Sequence, residues 1–319
     1  MIRLVGLALA MLLPAAAVAD VPAPDDDPVF QAGLAAYNTQ DYGTARDHFT
    51  TACDAGQPLG CFNLAIMADQ GQGQPPDASA ARAFFGQACA MKVLQGCHSA
   101  AVLAERGLGG AIDFSEARRL YEVACEAGVG EACFNRALMA AGARGGPEDL
   151  VAARGYHARA CDRGLGNGCN NLGLVQYAGI GGVQDAAAAF ASFEKACVDV
   201  PDSCRMAGNM AYLGEGTASD RAKARGFYLK GCELRDPVSC HNSGWVMDEG
   251  LGGEQDLHAA RTYYTRACNL EYAKSCFNTG VFLDDAIGGP RDEAGALAAF
   301  RKGCALGHED SCTEAEKMP

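Results

Sequence analysis

The chain has 319 residues, 16 cysteines and a formal net charge of −13. So acidic a balance argues against nucleic acid and anionic membrane surfaces as partners, because both are gripped through a basic footprint. An even cysteine count fits complete pairing.

The first segment, "MIRLVGLALAMLLPAAAVAD", carries one early positive charge, Arg3, then an apolar run through Leu13, and closes on Ala17-Val18-Ala19. This pattern predicts a secretory signal peptide over 1–19, cleaved after Ala19. Pro14 interrupts the run, which is too short to span a bilayer. Cleavage removes Arg3 and leaves the mature chain one unit more negative. No cysteine follows the cleavage site and no second long apolar stretch exists, so neither a lipid anchor nor membrane insertion after cleavage is expected. The expected location is periplasmic or secreted, where disulfides persist. Residues 20–28, "DVPAPDDDP", read as a disordered acidic linker.

One pattern then recurs eight times. The first cysteine of each pair falls at Cys53, Cys89, Cys125, Cys161, Cys197, Cys232, Cys268 and Cys304, and the second at Cys61, Cys97, Cys133, Cys169, Cys204, Cys240, Cys276 and Cys312. The period is 36 residues, with one residue missing between Cys197 and Cys204. A fixed period of this size predicts a solenoid, here over 29–312, followed by a tail over 313–319.

Each unit reads as two helices. An aspartate recurs at 41, 77, 113, 149, 185, 220, 256 and 292, suited to cap a helix start. Four residues on stands an alanine in every unit. Four further stands a ring, Phe49, Phe85, Tyr121, Phe193, Tyr228, Tyr264 or Phe300, with His157 the exception. Small and large residues at i and i+4 share one helical face, so the alanine admits close approach and the ring fills the gap. The second cysteine opens the other helix, which ends in a glycine-rich turn such as "GLGG" or "GIGG". No segment alternates with period two, so no strand is expected. The predicted fold is all-α, a right-handed α/α solenoid superhelix of about eight helix pairs.

"NLG…YAGIGGVQD…A…F.KAC", residues 171–197, resembles the Sel1-like repeat, a relative of the tetratricopeptide repeat. The first unit, with its tighter "QDY" turn, resembles an ordinary tetratricopeptide repeat. The paired cysteines make the chain similar to the cysteine-rich secreted Sel1-like proteins catalogued as Hcp-type β-lactamases. The resemblance covers essentially all of 29–312. It implies an interaction scaffold in the main, and penicillin binding with slow β-lactam hydrolysis for the small Hcp-type group.

Two cysteine connectivities fit antiparallel helices: within a hairpin, or across the short connector. Hairpin pairing leaves Cys53 and Cys312 without partners, whereas connector pairing uses all sixteen. The expected bridges are therefore 53–61, 89–97, 125–133, 161–169, 197–204, 232–240, 268–276 and 304–312. Metal binding is the weaker reading, because the repeated spacing is not zinc-like and export favours oxidation. No metal or cofactor is expected.

"SFEK", Ser192 to Lys195, matches the S-x-x-K motif of serine β-lactamases. The matching positions of other repeats hold unrelated residues, and no S-D-N or K-T-G element accompanies it, so no catalytic residue is assigned. Six histidines are scattered without metal spacing; His98 and His241 occupy a position where Phe62, Phe134 and Phe277 stand in other units, which points to packing. The best binding feature is an asparagine ladder two residues after the second cysteine: Asn63, Asn135, Asn171, Asn242 and Asn278, with Ser99, Met206 and Glu314 departing. An amide both donates and accepts, so it suits an extended backbone. In the related tetratricopeptide family an asparagine at this place lines the concave groove. The competing reading is that each Asn holds neighbouring backbone. Arg136 is the only basic residue directly beside the ladder. The leading expectation is an exported scaffold binding a peptide, a protein or a peptidoglycan fragment; the alternative is β-lactam hydrolysis.

Overall fold

A computed structural model describes residues 27–318. The expected signal peptide, and the linker as far as residue 26, lie outside the described residues. The chain divides between Ile112 and Asp113 into two compact units. The first holds α1 (Pro28–Asn38), α2 (Tyr42–Asp54), α3 (Pro58–Gln70), α4 (Ala78–Ala90) and α5 (Leu94–Arg106). The second holds α6 (Phe114–Glu126), α7 (Gly130–Ala141), α8 (Leu150–Asp162), α9 (Gly166–Ala178), α10 (Ala186–Ala196) and α11 (Pro201–Leu213). It continues through α12 (Arg221–Glu233), α13 (Pro237–Asp248), α14 (Leu257–Asn269), α15 (Ala273–Asp284), α16 (Glu293–Ala305) and α17 (Glu309–Lys317). The described residues form helices and turns only, and within each unit helices pack mainly on their neighbours in sequence, as in a solenoid. Two margins differ from expectation. Asp27 caps α1 and Pro28 opens it, because proline suits a first helical turn, and the tail from residue 313 is helical through Lys317.

Even- and odd-numbered helices start by different physics. Each of the eight predicted aspartates caps an even-numbered helix, its carboxylate accepting a backbone N–H two or three residues on. Odd-numbered helices mostly have an apolar cap residue, Val93, Val129, Leu165, Val200 or Tyr272, with no side-chain bond. Their starts are fixed instead by the connector. The backbone N–H of the cap residue donates to the carbonyl of the residue before the first cysteine in all eight connectors, at 2.9–3.1 Å.

The predicted core pairing holds. Ala45, Ala117, Ala189, Ala224 and Ala260 are wholly buried, and so are Phe49, Tyr121 and Phe193. Several rings seat on a glycine of the preceding odd-numbered helix. A Cβ placed on Gly173, Gly208, Gly244 or Gly280 would lie 2.4–2.7 Å from Phe193, Tyr228, Tyr264 or Phe300.

All eight connector disulfides are formed and no cysteine is free, with Cα–Cα separations of 4.3–4.6 Å. The shortened junction has an ordinary separation of 4.4 Å. The other seven connectors each contain a left-handed residue: Gly56, Lys92, Gly128, Gly164, Arg235, Glu271 or Gly307. Between Cys197 and Cys204 there is none. There α10 stops at Ala196, Cys197 becomes its C-cap, and Val200 N–H still reaches the Ala196 carbonyl at 2.9 Å. The deletion removes the left-handed residue and spares the bond that starts the next helix.

An arginine series follows the core alanines: Arg46, Arg82, Arg118, Arg154, Arg225 and Arg261. Arg82, Arg154, Arg225 and Arg261 each donate to a carbonyl of the glycine turn 29 residues on, at Ala111, Val183, Glu254 and Pro290. The turns must lack side chains where they lie on the even-numbered helix. Gly181, at φ 68°, would put a Cβ 2.1 Å from the Leu150 carbonyl oxygen, and the neighbouring Gly182 leaves room for Arg154.

Candidate functional site

In the second unit, odd-numbered helices of successive repeats touch one another, α7 with α9, α11 with α13 and α15 with α17. Side-chain bonds join the remaining neighbours, Ser203 to Asn170 between α11 and α9 and His241 with Ser275 between α13 and α15, so the exposed sides of these helices make one strip. On that strip, residues three apart in a helix are neighbours, so each asparagine position begins a short diagonal row. The rows are Asn135–Leu138–Ala141 on α7, Asn171–Leu174–Tyr177 on α9, Met206–Asn209–Tyr212 on α11, Asn242–Trp245–Asp248 on α13 and Asn278–Val281–Asp284 on α15.

The five ladder asparagines are half-buried. Asn171 Oδ1 accepts from Asn170 Nδ2 at 3.3 Å, and Asn170 accepts the Ser203 hydroxyl at 2.8 Å, which ties α9 to α11. Asn278 stands by the Tyr264 hydroxyl. Asn63, on α3 of the first unit, and Asn242 make no side-chain hydrogen bond among the described residues.

Aromatic rings occupy the middle rows. Tyr212 and Trp245 meet edge to face with centroids 5.2 Å apart. The Tyr177 hydroxyl donates to Glu215 at 2.9 Å, and the Arg221 guanidinium lies 5.8 Å from the Tyr212 ring. Leu174 and Leu213 beside them are 45% and 62% exposed, so the middle of the strip is apolar yet open to solvent. Toward α15 the rows turn acidic at Asp248 and Asp284. The Asp248 carboxyl is raised above the usual range by burial and by the charge of Glu249.

Arg136 does not serve the strip. It is buried at 6% exposure, its Nε bonds Glu122 at 2.8 Å, and its guanidinium lies 4.5 Å from the Tyr156 ring. Tyr156 donates to the same Glu122 carboxylate, and burial with this bond pushes its hydroxyl up to about 12. The one basic residue beside the ladder is thus committed to the core.

The S-x-x-K pair is not assembled for nucleophilic chemistry. Ser192 is buried and its hydroxyl donates to Gln176 at 2.7 Å, while Lys195 is exposed. His241 packs against Tyr264 and Tyr272, with Nδ1 2.8 Å from the Ser275 hydroxyl on the next odd-numbered helix, as its sequence position suggested. Cavities of about 360 and 350 Å³ lie on the even-numbered helices, around Arg261 and around Arg159.

The rings at Tyr177, Tyr212 and Trp245 escape the repeat comparison that exposes the asparagines, because Tyr177 and Tyr212 share a position that is not aromatic in the other units and Trp245 has no aromatic counterpart. The available signal was spacing from the ladder, three and six residues on, together with the single tryptophan of the chain.

Comparison with known proteins agrees with this architecture. The Sel1 repeat family matches residues 58–93, 95–129, 130–165, 166–197, 201–236, 237–272 and 273–308. Among solved structures, a protective antigen of uropathogenic Escherichia coli with an SLR fold superposes with a TM-score of 0.80 at 19% identity, over 90% of this chain. This chain spans 63% of that antigen's length. A Sel1 repeat protein from Oxalobacter formigenes superposes with a TM-score of 0.72 at 20% identity, over 93% of this chain and 88% of the other. The cysteine rich protein B of Helicobacter pylori matches 41% of this chain and 94% of its own at 27% identity, with a TM-score of 0.34. No curated protein matches.

Proposed function

The chain belongs to the Sel1 repeat family, and from that premise we propose that it is an exported binding scaffold. It holds an extended segment of another polypeptide on the odd-helix strip of its second unit. The observation that carries this reading is the half-buried aromatic centre, Tyr177, Tyr212 and Trp245, flanked by exposed Leu174 and Leu213. Such rings give large contact area at little entropic cost and are enriched in recognition surfaces. The amides of Asn171, Asn209 and Asn242 stand in the same rows, where they suit a peptide backbone that needs both donors and acceptors.

Eight disulfides fit an oxidising compartment, which supports a periplasmic or secreted location. They also hold the connectors rigid, so binding need not order the scaffold.

The experiment is crosslinking capture from periplasmic extract, comparing the native chain with Trp245→Ala and Tyr212→Ala. Captured polypeptide lost in both variants, with unchanged thermal midpoints, supports the reading. Equal capture by all three proteins overturns it.

A further inference from the structure

Acidic residues stand at the ends of two adjacent odd-numbered helices in a place the fold does not favour. Asp248 is the last residue of α13 and Glu249 its C-cap; Asp284 and Asp285 hold the same places on α15. A helix C-terminus already carries partial negative charge, so four carboxylates there repel both the helix ends and each other. The corresponding pairs on α7, α9 and α11 are Ala141–Gly142, Tyr177–Ala178 and Tyr212–Leu213, none of them charged. Arg291 bonds Asp284 at 2.8 Å and Glu293 at 2.6 Å, and its charge also reaches Asp285, so one guanidinium is shared among three carboxylates. The Asp248 carboxylate accepts only a long bond from the Tyr264 hydroxyl at 3.5 Å among the described residues, and Gln255 donates to its backbone carbonyl instead.

These carboxylates adjoin the aromatic rows. Asp248 lies three residues beyond Trp245 on the same helix, and Trp245 touches Tyr212. The strip therefore changes in one direction, from Leu174 and Tyr177 through Tyr212 and Trp245 to Asp248 and Asp284.

We propose that the strip binds a polypeptide segment in one polarity, its apolar part on Tyr177, Tyr212 and Trp245 and its lysines or arginines against Asp248, Glu249, Asp284 and Asp285. This deepens the scaffold reading and rests on it. Cations relieve the repulsion at the two helix ends, and the chain's net charge of −13 draws such a segment in from a distance. The aromatic rows hold the remainder and exclude a bare ion as sufficient ligand.

Trp245 is the only tryptophan, so its emission reports occupancy without a label. The full chain is titrated with two synthetic peptides of the same proline- and leucine-rich body, one ending in lysines and one in glutamates. The expected result is saturable change with the lysine peptide at least about tenfold tighter, a difference that shrinks at high salt. The combined variant Asp248→Asn, Glu249→Gln, Asp284→Asn, Asp285→Asn should equalise the two peptides without a fall in thermal midpoint. Equal affinity of both peptides for the native chain overturns the polarity proposal and leaves the scaffold reading intact. No response to either peptide, with no periplasmic capture, overturns both. Calcium chloride alone reproducing the full emission change would assign the carboxylates to a metal ion and also overturn the proposal.

Discussion

At the residue scale, departures from the repeat carry measurable consequences. His157 sits where seven other units place a phenyl or phenol ring, stacks 5.7 Å from Phe134, and is buried with its Nδ1 unpartnered. Burial lowers the His157 imidazole to about 4, and His241 likewise, from the ordinary 6.5. Both are neutral when folded, so the unfolded chain binds more protons as pH falls. Stability from these two is fully present above about 6.5 and is lost progressively down to about 4. Urea midpoints should fall over that window, and His157→Phe should flatten part of the slope; an unchanged slope would deny the histidine its role. Left-handed residues give a second test. Glu271 holds φ 66° with a side chain, where Gly164 of another connector has none. Glu271→Gly should stabilise the protein by up to about 1 kcal/mol in denaturant unfolding, since a left-handed side chain costs about that much.

At the element scale, the aspartate caps, the alanine–ring pairs and the cysteine partners were legible in the sequence because each is a short-range relation repeated seven or eight times. The arginine series recurs as visibly, yet its acceptors are backbone carbonyls 29 residues away, and a carbonyl leaves no mark in a sequence. The aromatic rows were hidden for the opposite reason: Tyr177 and Tyr212 share a position held by non-aromatic residues in the other units and Trp245 stands alone at its own, so comparison between units averages them away. The inward turn of Arg136 depended on Glu122 and Tyr156 from two other helices. Arg154→Ala should cost about 1 kcal/mol by removing the bond to Val183. Gly181→Ala should cost more, because its Cβ would meet the Leu150 carbonyl at a positive φ. Circular-dichroism melts of the two variants check that order. A glycine inserted between Asp199 and Val200 should leave the melt nearly unchanged, since both junction lengths preserve the bond that starts the next helix.

At the scale of the whole molecule, stability is a sum of neighbouring terms. Each bridge closes a short loop and contributes about 2.5 kcal/mol on the chain-entropy estimate. Losing Cys125–Cys133 should therefore expose amides on α6 and α7 to hydrogen exchange, whereas losing Cys304–Cys312 should affect mainly α16 and α17. A uniform loss of protection from either change would argue against this locality. The bridges also share a simpler property: each joins two cysteines that are consecutive along the chain. A polypeptide threaded through a translocation channel presents its thiols in that same order, so an oxidase acting on each pair as it emerges makes the native set at the first attempt. On the proposed export route, biogenesis of the protein should then proceed at full yield in cells that lack a disulfide isomerase.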